Sequence, residues 1–112
     1  MAGSNVWIKS GQVMNLVVDA TATGTSVARY KTSPYAAFQA TVDGTGAVTA
    51  VIDIEVSLDG ENWCDTVMGT ITLSGTTTHT DGFTTMSPWK WVRANITTLT
   101  GTDATVNILL GV

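Results

Sequence analysis

From Val48 to Leu58 every second residue is apolar. Val48, Ala50, Ile52, Ile54, Val56 and Leu58 alternate with Thr49, Asp53, Glu55 and Ser57, and Val51 is the single exception. Strand side chains point to opposite faces in turn, so the run fits a strand with one dry face and one wet face. Asp53 and Glu55 then stand side by side on the wet face, with little to bury or neutralise them. Asp59-Gly60 supplies the signal for a tight hairpin turn, and Trp63 opens the return strand. Paired catalytic carboxylates and a calcium loop are the rival readings of the same acidic cluster. Neither accounts for the alternation.

The rest of the chain repeats this pattern. Met14, Leu16 and Val18 share one face of the segment Gln12 to Ala20. Ala36, Phe38, Ala40 and Val42 share one face of the segment 35–43, and the "DGTG" that follows, Asp43 to Gly46, reads as a hairpin turn into the long strand. Ile71 and Leu73 point inward from "MGTITLSG", and Asp81-Gly82 reads as a turn. Val92, Ala94 and Ile96 form an inner face, as do Ala104, Val106, Ile108 and Leu110, and the last of these strands ties the C-terminus into a sheet. Thr is the commonest residue, followed by Val, Ala and Gly. β-branched side chains suit a pleated surface and lose freedom in a helix. No segment has helical periodicity. The expectation is an all-β, single-domain antiparallel β-sandwich or jelly roll of eight to ten short strands. The sandwich spans 12–112, preceded at 1–11 by an apolar N-terminal arm or edge strand that carries Val6, Trp7 and Ile8.

Composition narrows the function. The chain has 112 residues, enough for one core without staples, and 44% hydrophobic against 12% charged residues argues against disorder. A net charge of −4 argues against a nucleic-acid partner, which needs a basic patch to neutralise phosphates. No run approaches the ~20 apolar residues of a membrane helix. "MAGSNVWIKSG" has no signal-peptide pattern, so cytosolic synthesis is expected. Cys64 is the only cysteine, which rules out an intrachain disulfide and reads as a small half-buried hydrophobe beside Trp63.

Chemistry is scarce. His79 is the only histidine and sits beside a turn in a Thr-rich strand, which reads as surface. One His and one Cys do not make a conventional zinc site. "DGTG" and "SLDGEN" offer calcium-type ligands without the EF-hand spacing. The expectation is no catalytic residue, no metal and no cofactor. What remains is surface. Trp89 and Trp91 share a strand face with Arg93, and aromatics beside an arginine on an outer face are a binding signature. The alternative is that the Trp side chains close one end of the sandwich while Arg93 lies over an indole. The candidate partner-binding residues are therefore Val6, Trp7, Ile8, Trp89, Trp91 and Arg93.

"EVSLDGENW" followed by "WVRANIT" resembles the layout of discoidin-like and other jelly-roll binding domains. A closer resemblance covers most of the chain. "YAAFQATVDGTGAVTAVIDIEVSLDGENW", "GTITLSGTTTHTDGF", "PWKWVRANITTLTGT" and "ATVNILLGV" look like the small Thr/Val/Gly-rich structural proteins of tailed phages. The chain is similar in length and character to the decoration or staple proteins of epsilon-15-like phages. That resemblance implies a sandwich on the outer surface of the virion head, made in the host cytoplasm. It further implies a protein that clamps neighbouring copies of the major capsid protein, as a homodimer. A carbohydrate-binding or adhesion module and a tail or neck component are the alternative readings, and a small enzyme subunit fits worst.

Overall fold

The computed structural model describes residues 11–112 together with the backbone of Trp7–Ile8. The elements are β1 (Trp7–Ile8), β2 (Val13–Ala20), β3 (Gly24–Thr25), β4 (Arg29–Lys31), β5 (Tyr35–Ser57), β6 (Gly69–Met86) and β7 (Trp91–Gly111). All described regular structure is β. The sheet order is β1-β4-β7-β5-β6, with β2 and β3 also pairing with β7. Every pairing is antiparallel except β1 with β4.

The three long strands cannot be straight. At 3.3 Å per residue the 23 residues of β5 would reach about 76 Å, and the molecule's longest dimension is 39 Å. All three bend at one shared corner. In β5 the register slips between Asp43 and Ala47, opposite Thr78 and Thr76 of β6, and Thr45 pairs with Thr102 of β7. Positive φ values cluster there, at Gly46 (73°), Thr77 (67°), Gly101 (127°) and Asp103 (55°). A Cβ on Gly44 would stand 2.7 Å from the Val48 side chain and 2.9 Å from the Thr102 carbonyl, so the corner closes tightly only over glycine.

Bending folds the sheet onto itself as a sandwich-like domain. One layer contains β2 and the parts of β7, β5 and β6 around 104–111, 35–43 and 78–86. The other contains β3, β4 and the remaining halves of the same three strands. Phe83 of one layer occupies the space over Gly69 of the other, where an added Cβ would lie 2.6 Å from the ring. Between the layers, the alternating residues of β5, β6 and β7 make one continuous core.

The core parity matches the sequence reading, from Ala36 to Val56, at Ile71 and Leu73, and along both halves of β7. Several expectations are corrected. "DGTG" is no hairpin: Tyr35–Ser57 is one strand whose two halves pair with the same neighbours. Asp81-Gly82 lies inside β6 rather than at a turn. The count of eight to ten short strands gives way to three long bent strands and four short ones among the described residues. Val18 and Leu58 are exposed, Val18 because β2 slips register between Asn15 and Val17 and between Val17 and Ala20. No return strand starts at Trp63, since the next strand begins at Gly69. The C-terminus is tied in, with Val112 donating its N–H to Gln12 and accepting from Gly11.

Candidate functional site

The outer face of the β3/β4 layer carries two of the residues expected to bind a partner, Trp91 and Arg93. Register sets Glu55 beside Arg93, Asp53 beside Asn95, and Trp91 between Ser57 and Tyr30. Arg93 Nε donates to Glu55 at 2.6 Å, Asn95 donates to the other Glu55 oxygen at 3.2 Å, and the guanidinium lies 4.1 Å from the centre of the Trp63 ring. Tyr30 meets Trp91 edge-on at 5.2 Å, and Gly60 presses against the indole, where a Cβ would come within 2.9 Å. The charged and aromatic groups named on this face are thus engaged by their own chain. Glu55 is neutralised rather than merely wet, and Asp53 accepts from the Thr70 hydroxyl at 2.7 Å.

The segment after β5 delivers Trp63. Ser57 is buried, and its hydroxyl accepts from the backbone N–H groups of Asp59 and Gly60. The Asp59 carboxylate accepts from the N–H groups of Glu61 and Asn62 and from the Asn62 amide. Those bonds, the Asn62 side chain first, hold the Asp59 carboxyl well below the usual carboxylate range. Asp59 therefore shapes a loop, with Gly60 at φ 76°, and its oxygens are spent on that loop. Among the described residues no group of three or more His, Cys, Asp or Glu side chains is placed to hold a metal ion.

The other expected residues disperse. Trp89 precedes β7 and packs against the core instead of sharing the Trp91–Arg93 face. Val6 lies outside the described residues, and Trp7–Ile8 contribute a two-residue strand paired with Tyr30 and Lys31. Cys64 packs against the core, its N–H donating to the Val56 carbonyl. His79 is half-buried rather than a plain surface residue. It pairs with Val42 on the inward register of β6, and its Nδ1 accepts the Ser74 N–H across the corner.

On the outer face of the β2 layer hydrogen bonds join Thr41 to Thr80, Asn107 to Asp19 and Thr84 to the Ala36 carbonyl, and the side chains of Val13, Tyr35 and Met86 stay exposed. Register lines up Tyr35 with Met86, then Val13, Gly111, Ala37 and Thr84, then Asn15, Leu109, Gln39 and Gly82. Val13, Tyr35 and Met86 are 63%, 56% and 67% exposed. Small residues in the middle row leave two shallow depressions, of about 390 and 340 Å³, which meet at Val13, Ala37 and Gly111. Among the described residues that line either depression, Asp81 is the one with a charged side chain. Such a face suits contact with another apolar surface. Val13, Tyr35, Ala37, Leu109 and Met86 are apolar on wet-face parity, a signal present in the sequence, but only the strand register collects them.

The fold and surface together define an all-β sandwich-like domain with a broad apolar face. No family model matches the chain. No curated protein matches it either. Among solved structures it is similar to the PBSX exported protein XepA, with a TM-score of 0.52 and 14% identity over 96% of this chain. The likeness is one of fold, and this chain covers 38% of the XepA chain.

Proposed function

We propose that this is a non-catalytic structural protein of a phage particle that attaches to the outside of the head and clamps neighbouring major capsid proteins. The observation that carries the reading is the exposed apolar patch of Val13, Tyr35 and Met86 on a rigid sheet face. A rigid sheet has few flexible side chains to immobilise on binding, so affinity comes from area rather than from a deep pocket. The fold shared with an exported protein and the sequence resemblance to phage decoration proteins point the same way. An acidic chain, at net charge −4, also avoids capture by nucleic acid in the infected cell.

The test is the copy number of the protein on purified virions, measured against the major capsid protein, for wild type and for the double variant Tyr35→Asp, Met86→Asp. Copies approaching those of the capsid protein, lost in the variant while its circular dichroism is unchanged, are the expected result. A handful of wild-type copies per particle would move the protein to the tail or neck, and none would remove it from the virion.

A further inference from the structure

We infer that the outer edge of β6 pairs with the same edge of a second copy of this chain, antiparallel, about a two-fold axis at Thr80. This rests on edge geometry and holds or fails independently of the virion reading. Within the described sheet β6 has a single neighbour, β5, although it is 18 residues long. Edge strands are usually blunted by lysine, proline, brevity, irregularities or inward charges. β6 has no lysine or proline and is long, and its one break is at Thr77 and its one charge at Asp81.

Two side chains mark the edge. The Gly82 N–H donates to the Asp81 carboxylate at 2.8 Å rather than to β5, so it faces outward. Outward groups recur at every second residue of an antiparallel strand, which makes Thr78, Thr80 and Thr84 outward as well. His79 accepts the Ser74 N–H at Nδ1, which fixes its proton on Nε2 and leaves that N–H as a donor. Asp81 uses one carboxylate oxygen on Gly82 and keeps the other as an acceptor.

A two-fold at Thr80 matches these groups. It sets Thr80 against Thr80 of the second copy, Thr78 against Gly82, and His79 against Asp81, twice over. Donor meets acceptor at both ends, as a self-complementary interface requires. The outward N–H and carbonyl of Thr80 and the Thr78 N–H with the Gly82 carbonyl close the ladder, the Gly82 N–H stays on Asp81, and the bend at Thr77 ends the ladder on each side. The remaining outward side chains are threonines, so no like charges oppose.

Sedimentation velocity over a concentration series tests this, with fold monitored by circular dichroism. Wild type should show a monomer–dimer equilibrium. Thr80→Pro removes an outward N–H from each copy, leaves the β5 backbone ladder in place while losing the Thr80 hydroxyl contact with Thr41, and should raise the dimer dissociation constant roughly a hundredfold. His79→Asp should do the same by opposing two carboxylates, and His79→Asp with Asp81→His should restore the dimer by exchanging their places. A wild type that stays monomeric throughout overturns the inference. So does a dimer that persists in folded Thr80→Pro, or one that the exchange variant fails to restore.

Discussion

Arg93 is clasped between two partners from different parts of the chain, Glu55 of β5 at 2.6 Å and the Trp63 ring at 4.1 Å. The side chains of Arg93 and Glu55 retain only 26% and 16% of their exposure. The pair is therefore shielded far better than a surface ion pair, whose net worth is near zero. An arginine on an outer strand face reads from sequence as available to a partner, and here it fastens the 58–68 segment to the sheet.

Arg93→Leu should cost about 1–3 kcal/mol, because it leaves the half-buried Glu55 carboxylate without its cation. Arg93→Lys should recover only part of that, since an ammonium neither lies flat on an indole nor presents Nε. Urea denaturation of both variants and of Glu55→Gln, read as a double-mutant cycle, checks the coupling. A coupling energy near zero would mean that the contact is ornamental.

Asp59 predicts acid sensitivity. Its carboxyl titrates lower in the folded protein than in the unfolded chain, so the folded state binds fewer protons across that interval. The stabilisation is complete above the unfolded value of about 4 and falls away as pH drops below it. Asp59→Asn should flatten the acid limb of the stability curve relative to wild type. Equal slopes for the two proteins would contradict this role.

Lys31 predicts the opposite limb. Its side chain is fully buried, and Nζ donates to the carbonyls of Ser33 and Ser87, so one amine ties the turn after β4 to the segment after β6. Burial, and secondarily Lys90, lower its pKa. Between that lowered value and the ordinary one near 10.4 the unfolded chain binds more protons, so stability rises with pH in that window. Lys31→Met should cost about 1–3 kcal/mol at neutral pH by stranding two carbonyls, and should lose the alkaline rise. Thermal melts from pH 7 to 10 distinguish the two.

Thr77 holds φ at 67°, a left-handed conformation that strains a β-branched residue. Thr77→Gly should stabilise the protein by about 0.5–1 kcal/mol, since the relief exceeds the extra entropy that glycine lends the unfolded chain. The check is a higher urea midpoint at unchanged slope. A lower midpoint would mean that the threonine side chain supports the corner.

The sequence alone determined which residues enter the core. Alternation is a property of one strand, and burial of one face follows from it, as Ala36 to Val56 and Val92 to Leu110 illustrate. It left open what joins the strands. "DGTG" suits a two-residue hairpin and equally suits a corner, because both need short residues and a positive φ. The tertiary structure chose the corner because β6 and β7 bend at the same place, so the backbone ladder continues through it and hydrogen bonds are kept on both sides. The two surfaces divide in the same way. The sequence offered Arg93 both as a partner contact and as lying over an indole, and it could not choose because Tyr30, Glu55, Gly60 and Trp63 are remote in sequence. Val13, Tyr35 and Met86, in turn, become one patch only when four strands, β2, β7, β5 and β6, lie in register. Parity is local and is written in each segment; adjacency depends on which backbones pair, and that is decided only when the whole sheet closes.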